Sequence, residues 1–446
     1  MSVSTYHNHS LRLPSGLTLL SGTAIETAGF TNADIVDFID YVFSKEYRPH
    51  NFATIFPSLY ADEADSRRHH YIVADGTKIV AALLVMYKSL LPPAASDKAG
   101  CARLPFATVG NVAVHPRNRG QGLMRAMMNL AIEDMRKAGI AFAVLGGQRQ
   151  RYGWFGFEPG LTALSCEIIR ANFTGEQRRL LKDELSIAVD EPIAPDAELI
   201  SALDELRHAN ASRHVREDSG LDSRYTNRKC RLAVVRKDSG DGDIVGYTIF
   251  EPTSQGLNLQ DFAIAAEIEP PVFMAALLRH FNVQSLQFFC PSSDLRLIRD
   301  LTTWAEKFEP HDSGKVMLLD IGCCLDFHLR AQIAAIDAAG ASAAQAVPAR
   351  PPLNLRLIVK NPPRPEIASQ CLDLRIDGVN YSLEKHPVDA APPTDLPTLE
   401  LDYAVAVPTL CASSGLAALT PEQKNFLWPL AYYLPLDLYI PRPDRN

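Results

Sequence analysis

The sequence lacks the patterns that mark membrane and exported proteins. Its apolar runs, such as Ile79–Met86, fall far short of the roughly 20 residues that a helix needs to cross a bilayer. The polar start, Met1–Ser10, has no apolar stretch of the kind found in signal peptides. We therefore expect a soluble, cytoplasmic protein without a membrane span.

Metal and redox motifs are missing as well. The eight cysteines include one adjacent pair, Cys323–Cys324, but no C-x-x-C, which indicates reduced, structural thiols. His7, His9, His69 and His70 have no carboxylate or cysteine partners at ligand spacing, so we expect no metal. The net charge of −8 argues against a general nucleic-acid-binding protein.

Three familiar active-site motifs are absent too. There is no G-x-x-x-x-G-K-[ST] loop and no G-x-G-x-x-G dinucleotide fingerprint. No G-x-S-x-G nucleophile turn is present either. These absences exclude the common phosphate-binding loops and the serine hydrolases of that type.

What is present is the composition of a globular protein, with 446 residues of which 47% are hydrophobic and 22% charged. This length is enough for about three domains. In the first segment, the periodicity of apolar residues predicts alternating strands and helices, with a hairpin turn at Asp75–Gly76. The predicted strands are Leu17–Leu20, Tyr71–Val73, Ile79–Met86, Ala107–Val114 and Ala141–Leu145, and the helices are Asn32–Phe43 and Gln121–Lys137.

The second segment, about 180–310, repeats this order of strand, helix, hairpin, strand and helix, which predicts an internal structural repeat. Its strands are expected at Leu185–Val189, Arg231–Lys237, Ile244–Phe250 and Leu257–Ile264, and its helices at Ala197–His208 and Pro271–Phe281.

A third segment begins near Val316, and its helix Leu325–Ala338 leads into an Ala-rich stretch that we interpret as a helix end and linker. Strands follow at Leu353–Val359, Cys371–Ile376 and Val379–Glu384. The prediction is an α/β protein with mixed sheets and domains at 1–165, 180–310 and 315–446.

The strongest local signal is the run Arg117–Gly122 between a strand and an amphipathic helix. Its two glycines let the backbone approach a ligand closely, and the first helical N–H groups have no partner within the helix. The helix dipole is positive at that end, so the loop suits a pyrophosphate. An ordinary surface turn with basic residues remains the alternative.

The segment Val112–Met124 resembles the acetyl-CoA-binding motif of the GNAT superfamily. A second signature of that family, Y-x-x-x-G-F, is matched by Tyr152–Phe157 after the next strand. The resemblance implies acetyl-CoA as co-substrate, with a strand that pairs with the pantetheine arm and a loop that holds the pyrophosphate. The cofactor-binding residues that it implies are Val112, Ala113, Val114, Arg117, Arg119, Gly120, Gln121, Gly122, Leu123, Met124, Arg125, Gly147 and Gln148.

The resemblance also makes Tyr152 the general acid. A phenol, with a pKa of about 10, stays protonated at neutral pH and can donate to the departing thiolate. The alternative is an aromatic ring that only packs beside the coenzyme. We interpret Trp154, Phe155 and Phe157 as packing residues.

The whole layout resembles the enhanced intracellular survival group, in which a second GNAT-like domain and a domain of the sterol carrier protein fold follow the first. That resemblance implies a homo-oligomer, a hexamer in the group, and the carboxylate of Asn446 as general base. Members of the group usually end on an aromatic residue, whereas this chain ends on Asn446, so a solvated tail is the alternative. Asp37 or Asp40 could serve as the base instead, although both are expected on a solvated helix face.

The predicted function is direct transfer of an acetyl group to a primary amine of a small molecule or peptide, within a ternary complex. The acceptor is expected beside Asn32–Tyr60, in an aromatic pocket lined by Phe43, Tyr47, Phe52 and Phe56. The alternatives are a non-catalytic CoA or acyl-CoA sensor and, for the last domain, a lipid carrier. No motif identifies the amine.

Overall fold

Three β-sheets organise the chain in the computed structural model. The structure describes residues 7–46, 49–60, 66–91, 103–182, 187–192, 195–209, 215–216, 230–237, 242–291, 294–312, 314–340, 351–378, 380–391, 395–412, 419–424, 430, 434, 436 and 438. Among these residues, no helix is long and apolar enough to span a membrane.

The strands and helices are numbered in chain order. The strands are β1 His9–Arg12, β2 Thr18–Ser21, β3 His70–Asp75, β4 Lys78–Leu91, β5 Leu104–Val114, β6 Phe142–Leu145, β7 Glu158–Pro159, β8 Thr162–Ile169, β9 Ile187–Asp190, β10 Val215–Arg216, β11 Arg231–Lys237, β12 Ile244–Pro252, β13 Gly256–Ile264, β14 Ser285–Cys290, β15 Lys307–Asp312, β16 Lys315–Leu318, β17 Leu353–Lys360, β18 Gln370–Asp377, β19 Asn380–His386 and β20 Thr398–Asp402. The helices are α1 Thr23–Thr27, α2 Asn32–Glu46, α3 Phe52–Ile55, α4 Pro57–Tyr60, α5 Leu123–Lys137, α6 Arg149–Tyr152, α7 Ala197–Ala209, α8 Pro270–His280, α9 Leu295–Trp304, α10 Ile321–Gly340 and α11 Tyr403–Cys411.

The first sheet has the order β1-β2-β3-β4-β5-β6-β16-β7, and β10 pairs with the end of β4. Its one parallel pair among the described strands is β5 with β6, and this pairing runs from Phe106 to Val109 of β5. Beyond Val109, β5 continues to Val114 with β4 as its partner. The edge of β5 that faces β6 therefore has no strand partner over its last residues among the described parts of the chain.

The second sheet, β15-β8-β14-β13-β12-β11-β9, repeats this arrangement. Its parallel pair, β13 with β14, covers Gly256–Leu259, after which β13 continues to Ile264 against β12. The internal repeat predicted from the order of elements is thus present, and the expectation of an α/β protein with mixed sheets is confirmed.

The first and second sheets take strands from beyond the predicted limits at 165 and 315. β8, which starts at Thr162, lies in the second sheet, and β16 lies in the first sheet between β6 and β7. Val316, near which the third segment was expected to begin, pairs with Val144 of the first sheet. This pairing was not predicted, because a short apolar strand carries no local signal for the sheet that it joins. The domain limits themselves stay predictions.

The third sheet has the order β19-β18-β17-β20, with β17 and β20 parallel. Its buried residues share one hydrophobic core with the first sheet, through β16 and α10. Tyr403 of α11 is 1% exposed, and its hydroxyl accepts from Leu318 N at 2.8 Å and donates to Leu318 O at 3.1 Å. The helix α11, which directly follows β20 of the third sheet, is therefore bonded to a strand of the first sheet.

Replacing Tyr403 by Phe is expected to destabilise this junction. The substitution keeps the ring but leaves a buried N–H and a buried carbonyl without the hydroxyl, which costs about 1–3 kcal/mol. Urea unfolding followed by circular dichroism should show a lower midpoint. Tyr41→Phe, at a ring that is 41% exposed, is the matched control, and equal midpoints for both variants would contradict the prediction.

Candidate active site

A cleft of about 1330 Å³ opens where the pairing of β5 with β6 stops. Its walls come from β5, the loop before α5, the segment after β6, and the end of α2 with α3. Residues from the other two sheets, Glu251 of β12 and Pro363 and Arg364 after β17, complete the lining. The cleft is thus built by all three sheets.

The loop at the start of α5 has the geometry of an anion site. Gly120 and Gly122 have φ of +78° and +73°, and Gly122 is the N-cap of α5 without any side-chain cap. Backbone angles in this region favour glycine. The first N–H groups of α5 therefore have no capping side chain and can bind an anionic ligand.

The strand β5 is distorted where it lines the cleft. Its pairing with β4 shifts between Ala82 and Leu84, and Asn111 of β5 has φ of +50°. Val112 and Val114 line the cleft, whereas Ala113 between them is 1% exposed and packs in the core beneath α2. Alternation along the strand explains this difference, because successive side chains point to opposite faces.

Most of the predicted cofactor residues are brought together here. Those that line the cleft are Val112, Val114, Arg119, Gly120, Gly122, Leu123, Met124, Arg125, Gly147 and Gln148. Three others are not among the lining residues: the side chain of Ala113 is buried on the opposite face, and Arg117 and Gln121 are exposed on the loop.

Arg119 forms an ion pair across the cleft rim. Its Nη1 lies 2.7 Å from Oε1 of Glu46 at the end of α2, and the two side chains are 47% and 45% exposed. The Arg119 guanidinium therefore already has a carboxylate partner at the rim of the cleft.

Tyr152 lines the cleft and is 7% exposed. It ends the short helix α6, and its ring packs on Gly147, which has φ of +138°. A Cβ added at Gly147 would lie 2.7 Å from Cε2 of Tyr152. The glycine therefore sets the position of the tyrosine ring.

The aromatic residues after Tyr152 differ in their exposure to solvent. Phe155 and Phe157 are buried, as predicted for packing residues, but Trp154 is 77% exposed and lines the cleft. The packing interpretation of Trp154 was wrong because Gly153–Phe155 forms a 3-10 turn that presents the middle residue to solvent. Gly156, with φ of +94°, ends this turn, and a Cβ there would lie 2.7 Å from Cδ1 of Ile367.

The predicted aromatic pocket is present in its described part. Phe43, Phe52 and Phe56 line the cleft, together with His50, and we call these four side chains the aromatic wall. Phe43 packs edge-on against Phe52, with ring centroids 5.1 Å apart, and Phe52 stacks on Phe56 at 6.2 Å. Tyr47 lies outside the described residues.

The proposed bases are not assembled in the described part of the cleft. Asn446 lies outside the described residues, and Asp37 is exposed and Asp40 half-buried, neither of them among the lining residues. Asp40 Oδ1 accepts from Phe52 N, at the first residue of α3, at 2.8 Å, so this side chain is bonded within the fold rather than facing solvent as expected. Burial raises the pKa of Asp40 above its ordinary value.

Sequence reasoning missed Asn111, Glu251 and Arg364 as cleft residues. Asn111 carried a weak signal, because asparagine tolerates a positive φ better than most residues. Glu251 and Arg364 carried none, since they reach the cleft only through the packing of the other two sheets. In the part of the chain that the structure describes, no group of His, Cys, Asp or Glu side chains could hold a metal ion.

Comparisons with known proteins agree with this geometry. Residues 31–160 match the family model described as "Acetyltransferase (GNAT) domain". The match spans β3 to β7 of the first sheet, so this part of the chain is similar to a GNAT acetyltransferase domain. No curated protein matches the chain in sequence.

Solved structures resemble nearly the whole chain. A GCN5-related N-acetyltransferase from Kribbella flavida has a TM-score of 0.60 at 16% identity, over 95% of this chain and 97% of that one. One from Anabaena variabilis has a TM-score of 0.59 at 13% identity, over 95% and 98%. A probable N-acyltransferase from Enterococcus faecalis has a TM-score of 0.57 at 15% identity, over 84% and 86%. At these identities the likeness shows the fold.

If Tyr152 has the catalytic role proposed below, replacing Gly147 by Ala is expected to slow CoA-thiol release by about 10–100-fold, because a misplacement of about 1 Å can cost up to about 100-fold in rate. The methyl group would collide with the Tyr152 ring. The rate constant kcat, measured by CoA-thiol release, checks this.

The control for backbone strain is Gly139→Ala. Gly139 also has a positive φ, but a Cβ there would meet nothing within 4 Å. If both variants lose kcat equally, the contact with Tyr152 is not the cause.

Proposed function

We propose that the chain transfers an acetyl group from acetyl-CoA directly to a primary amine, within a ternary complex formed in the cleft. The observation that carries this proposal is the free edge of β5 beside the uncapped start of α5. The first feature offers backbone groups to an extended arm, and the second offers N–H groups to a pyrophosphate at its end.

The cofactor would lie between these two features. The N–H groups after Gly120 and Gly122 and the positive end of the α5 dipole would bind the pyrophosphate, with Arg119 and Arg125 as charge-assisted donors. The backbone of Val112 and Val114 would pair with the pantetheine arm. Arg117 and Gln121, on the exposed side of the loop, are left with at most a supporting part.

The reaction requires a deprotonated amine, because an ammonium has no lone pair with which to attack. The nitrogen forms a bond to the thioester carbon, the C–S bond breaks, and the amine proton leaves to a base. Backbone N–H groups near Val114 would stabilise the charge that develops on the carbonyl oxygen. Tyr152, which lines the cleft, would donate the proton that the thiolate takes up.

The carboxylate of Asn446 remains the proposed base. Asp40 is a weaker alternative because its oxygen is engaged by Phe52 N, and Asp37 is exposed on α2 away from the cleft. The association into a homo-oligomer and the sterol-carrier-like fold of the last domain are likewise proposals, which rest on the resemblance to the enhanced intracellular survival group.

The acceptor end of the cleft favours an amine with an apolar or aromatic body. The aromatic wall provides the apolar surface, and Glu46 and Glu251 provide carboxylates at the rim. These groups fit small-molecule amines and peptide amines alike, because each presents a cation beside a less polar stem.

The first experiment measures CoA-thiol release from acetyl-CoA with 2-phenylethylamine, spermidine, kanamycin and a peptide with a free N-terminus. Tyr152→Phe is expected to lower kcat by about 10²–10⁴-fold, the usual contribution of a proton donor. Deletion of the last four residues is expected to lower it similarly if the Asn446 carboxylate is the base. Tyr381→Phe, on β19 and outside the cleft lining, is the control.

If the protein binds CoA but none of the acceptors causes CoA-thiol release, the chain is a CoA sensor rather than an enzyme. If Tyr152→Phe keeps full activity, the chain is still a transferase, but Tyr152 is not its general acid.

A separate prediction concerns the pair of Arg119 with Glu46. Glu46→Gln frees the guanidinium for the pyrophosphate, so the KM for acetyl-CoA should fall by up to about fivefold, since an exposed ion pair contributes 0–1 kcal/mol. The effect should fade at high salt. Glu133→Gln, which breaks a similarly exposed pair with Lys137 on α5, should leave KM unchanged. A rise in KM for Glu46→Gln would contradict this competition.

A further inference from the structure

A chain of hydrogen bonds runs from the cleft into the core behind α2. It begins at Asn111, which lines the cleft at the distorted point of β5. Asn111 Nδ2 donates to the hydroxyl of Tyr60 at 2.6 Å, and that hydroxyl lies 3.2 Å from Nε2 of His70. His70 Nδ1 lies 2.8 Å from the carbonyl oxygen of Ser66. Tyr60 is 3% exposed and His70 is 0% exposed.

The direction of every bond in this chain can be assigned. A carbonyl oxygen only accepts, so Nδ1 of His70 carries a proton and donates it to Ser66. Burial lowers the pKa of His70 to about 4, so the ring is neutral near pH 7 and its Nε2 accepts. Tyr60 therefore donates to His70 and accepts from Asn111. Burial also raises the pKa of Tyr60, which keeps its hydroxyl protonated.

The end of this hydrogen-bond series that lies farthest from the cleft is held in place as well. Oδ1 of Asn32, the first residue of α2, accepts from Ser66 N at 3.2 Å and from Ser66 Oγ at 2.7 Å. The Asn111 amide is thus oriented by a series of bonds that ends at a helix terminus, and its nitrogen cannot exchange places with its oxygen without breaking the bond to Tyr60. What the amide can still offer an incoming N–H group is its oxygen, an acceptor.

The position of Asn111 along β5 also suits contact with the acceptor amine. Asn111 directly precedes Val112 and lies three residues before Val114, and both valines line the cleft where the pantetheine arm is predicted. It faces the same cleft as the aromatic wall on the acceptor side. A group here lies between the expected positions of the two reactants.

We propose that Asn111 binds the acceptor amine, with Oδ1 accepting an N–H bond of the attacking nitrogen, and that Tyr60 and His70 act as positioning residues for its amide. The inference rests on the proposed function. It assigns a hydrogen-bond acceptor for the nucleophile and not its base, because neither an amide nor a neutral buried imidazole of low pKa takes up the amine proton efficiently near pH 7.

The decisive variant is Asn111→Gly, since glycine adopts the positive φ at this position without strain. The kcat/KM for the best amine of the panel should fall by about 10–100-fold, the usual effect of losing a hydrogen bond to a buried or charged partner. The KM for acetyl-CoA should change by less than about twofold. Asn282→Gly, at another asparagine with a positive φ of +49°, is the matched control.

Tyr60→Phe tests the positioning role, because it keeps the buried ring and removes the hydroxyl that holds the amide. It should lower kcat/KM for the amine by about tenfold and spare the KM for acetyl-CoA. If Tyr60 acts through Asn111, the double variant should be no worse than Asn111→Gly alone. Additive losses would mean that the two residues act independently, and would overturn the positioning role.

Amine binding without turnover separates this inference from the proposed function. Calorimetric titration of CoA-saturated protein with 2-phenylethylamine and spermidine should show binding that Asn111→Gly weakens and Asn282→Gly does not. If the protein binds the amine in this way but never releases CoA from acetyl-CoA, the proposed transferase function is refuted and the proposed amine site at Asn111 is supported. Unchanged amine parameters in Asn111→Gly, equal losses for amine and acetyl-CoA, or no binding of either amine would overturn the inference.

Discussion

The site depends on the point at which the pairing between β5 and β6 ends, at Val109. A strand edge without a partner must find other groups for its N–H and carbonyl groups, and here it faces a cleft. The shifted register against β4 and the positive φ of Asn111 occur at the same point. Just after this point Val112 and Val114 line the cleft, and Ala113 between them lies in the core.

The second sheet has the same geometry without the same chemistry. Its parallel pair stops at Leu259, but the helix that follows, α8, begins at Pro270 after Glu269. Two prolines and an acidic N-cap in place of a glycine loop give fewer N–H groups and a charge of the wrong sign for a phosphate. Arg296 donates to the carbonyls of Ala265 and Ile268 in the same loop. The second sheet therefore keeps the strand arrangement of the first, but the loop before α8 lacks the features that would let the loop before α5 bind a phosphate.

The second and third sheets contribute to the site through packing. Glu251 and Arg364 reach the cleft rim, and Gly156 lies where a Cβ would collide with Ile367 of the segment before β18. The glycine of the Y-x-x-x-G-F signature thus permits a close approach of the third segment to the turn that carries Trp154. Substitutions in the later domains can be expected to affect the cleft by moving this boundary, since close-packed interiors transmit strain.

The sequence by itself determined the features that depend on neighbouring residues: the glycine loop at the start of α5, the tyrosine signature, the hairpin at Asp75–Gly76 and the repeated order of elements. Each rests on backbone conformation or on periodicity, which a short window of residues encodes. The tertiary structure alone decided what depends on distant partners. It joined β16 to the first sheet, bonded Asp40 to Phe52 N at the start of α3, and linked Asn111 to Tyr60 and His70. These contacts connect residues far apart in the chain, and no local pattern specifies them.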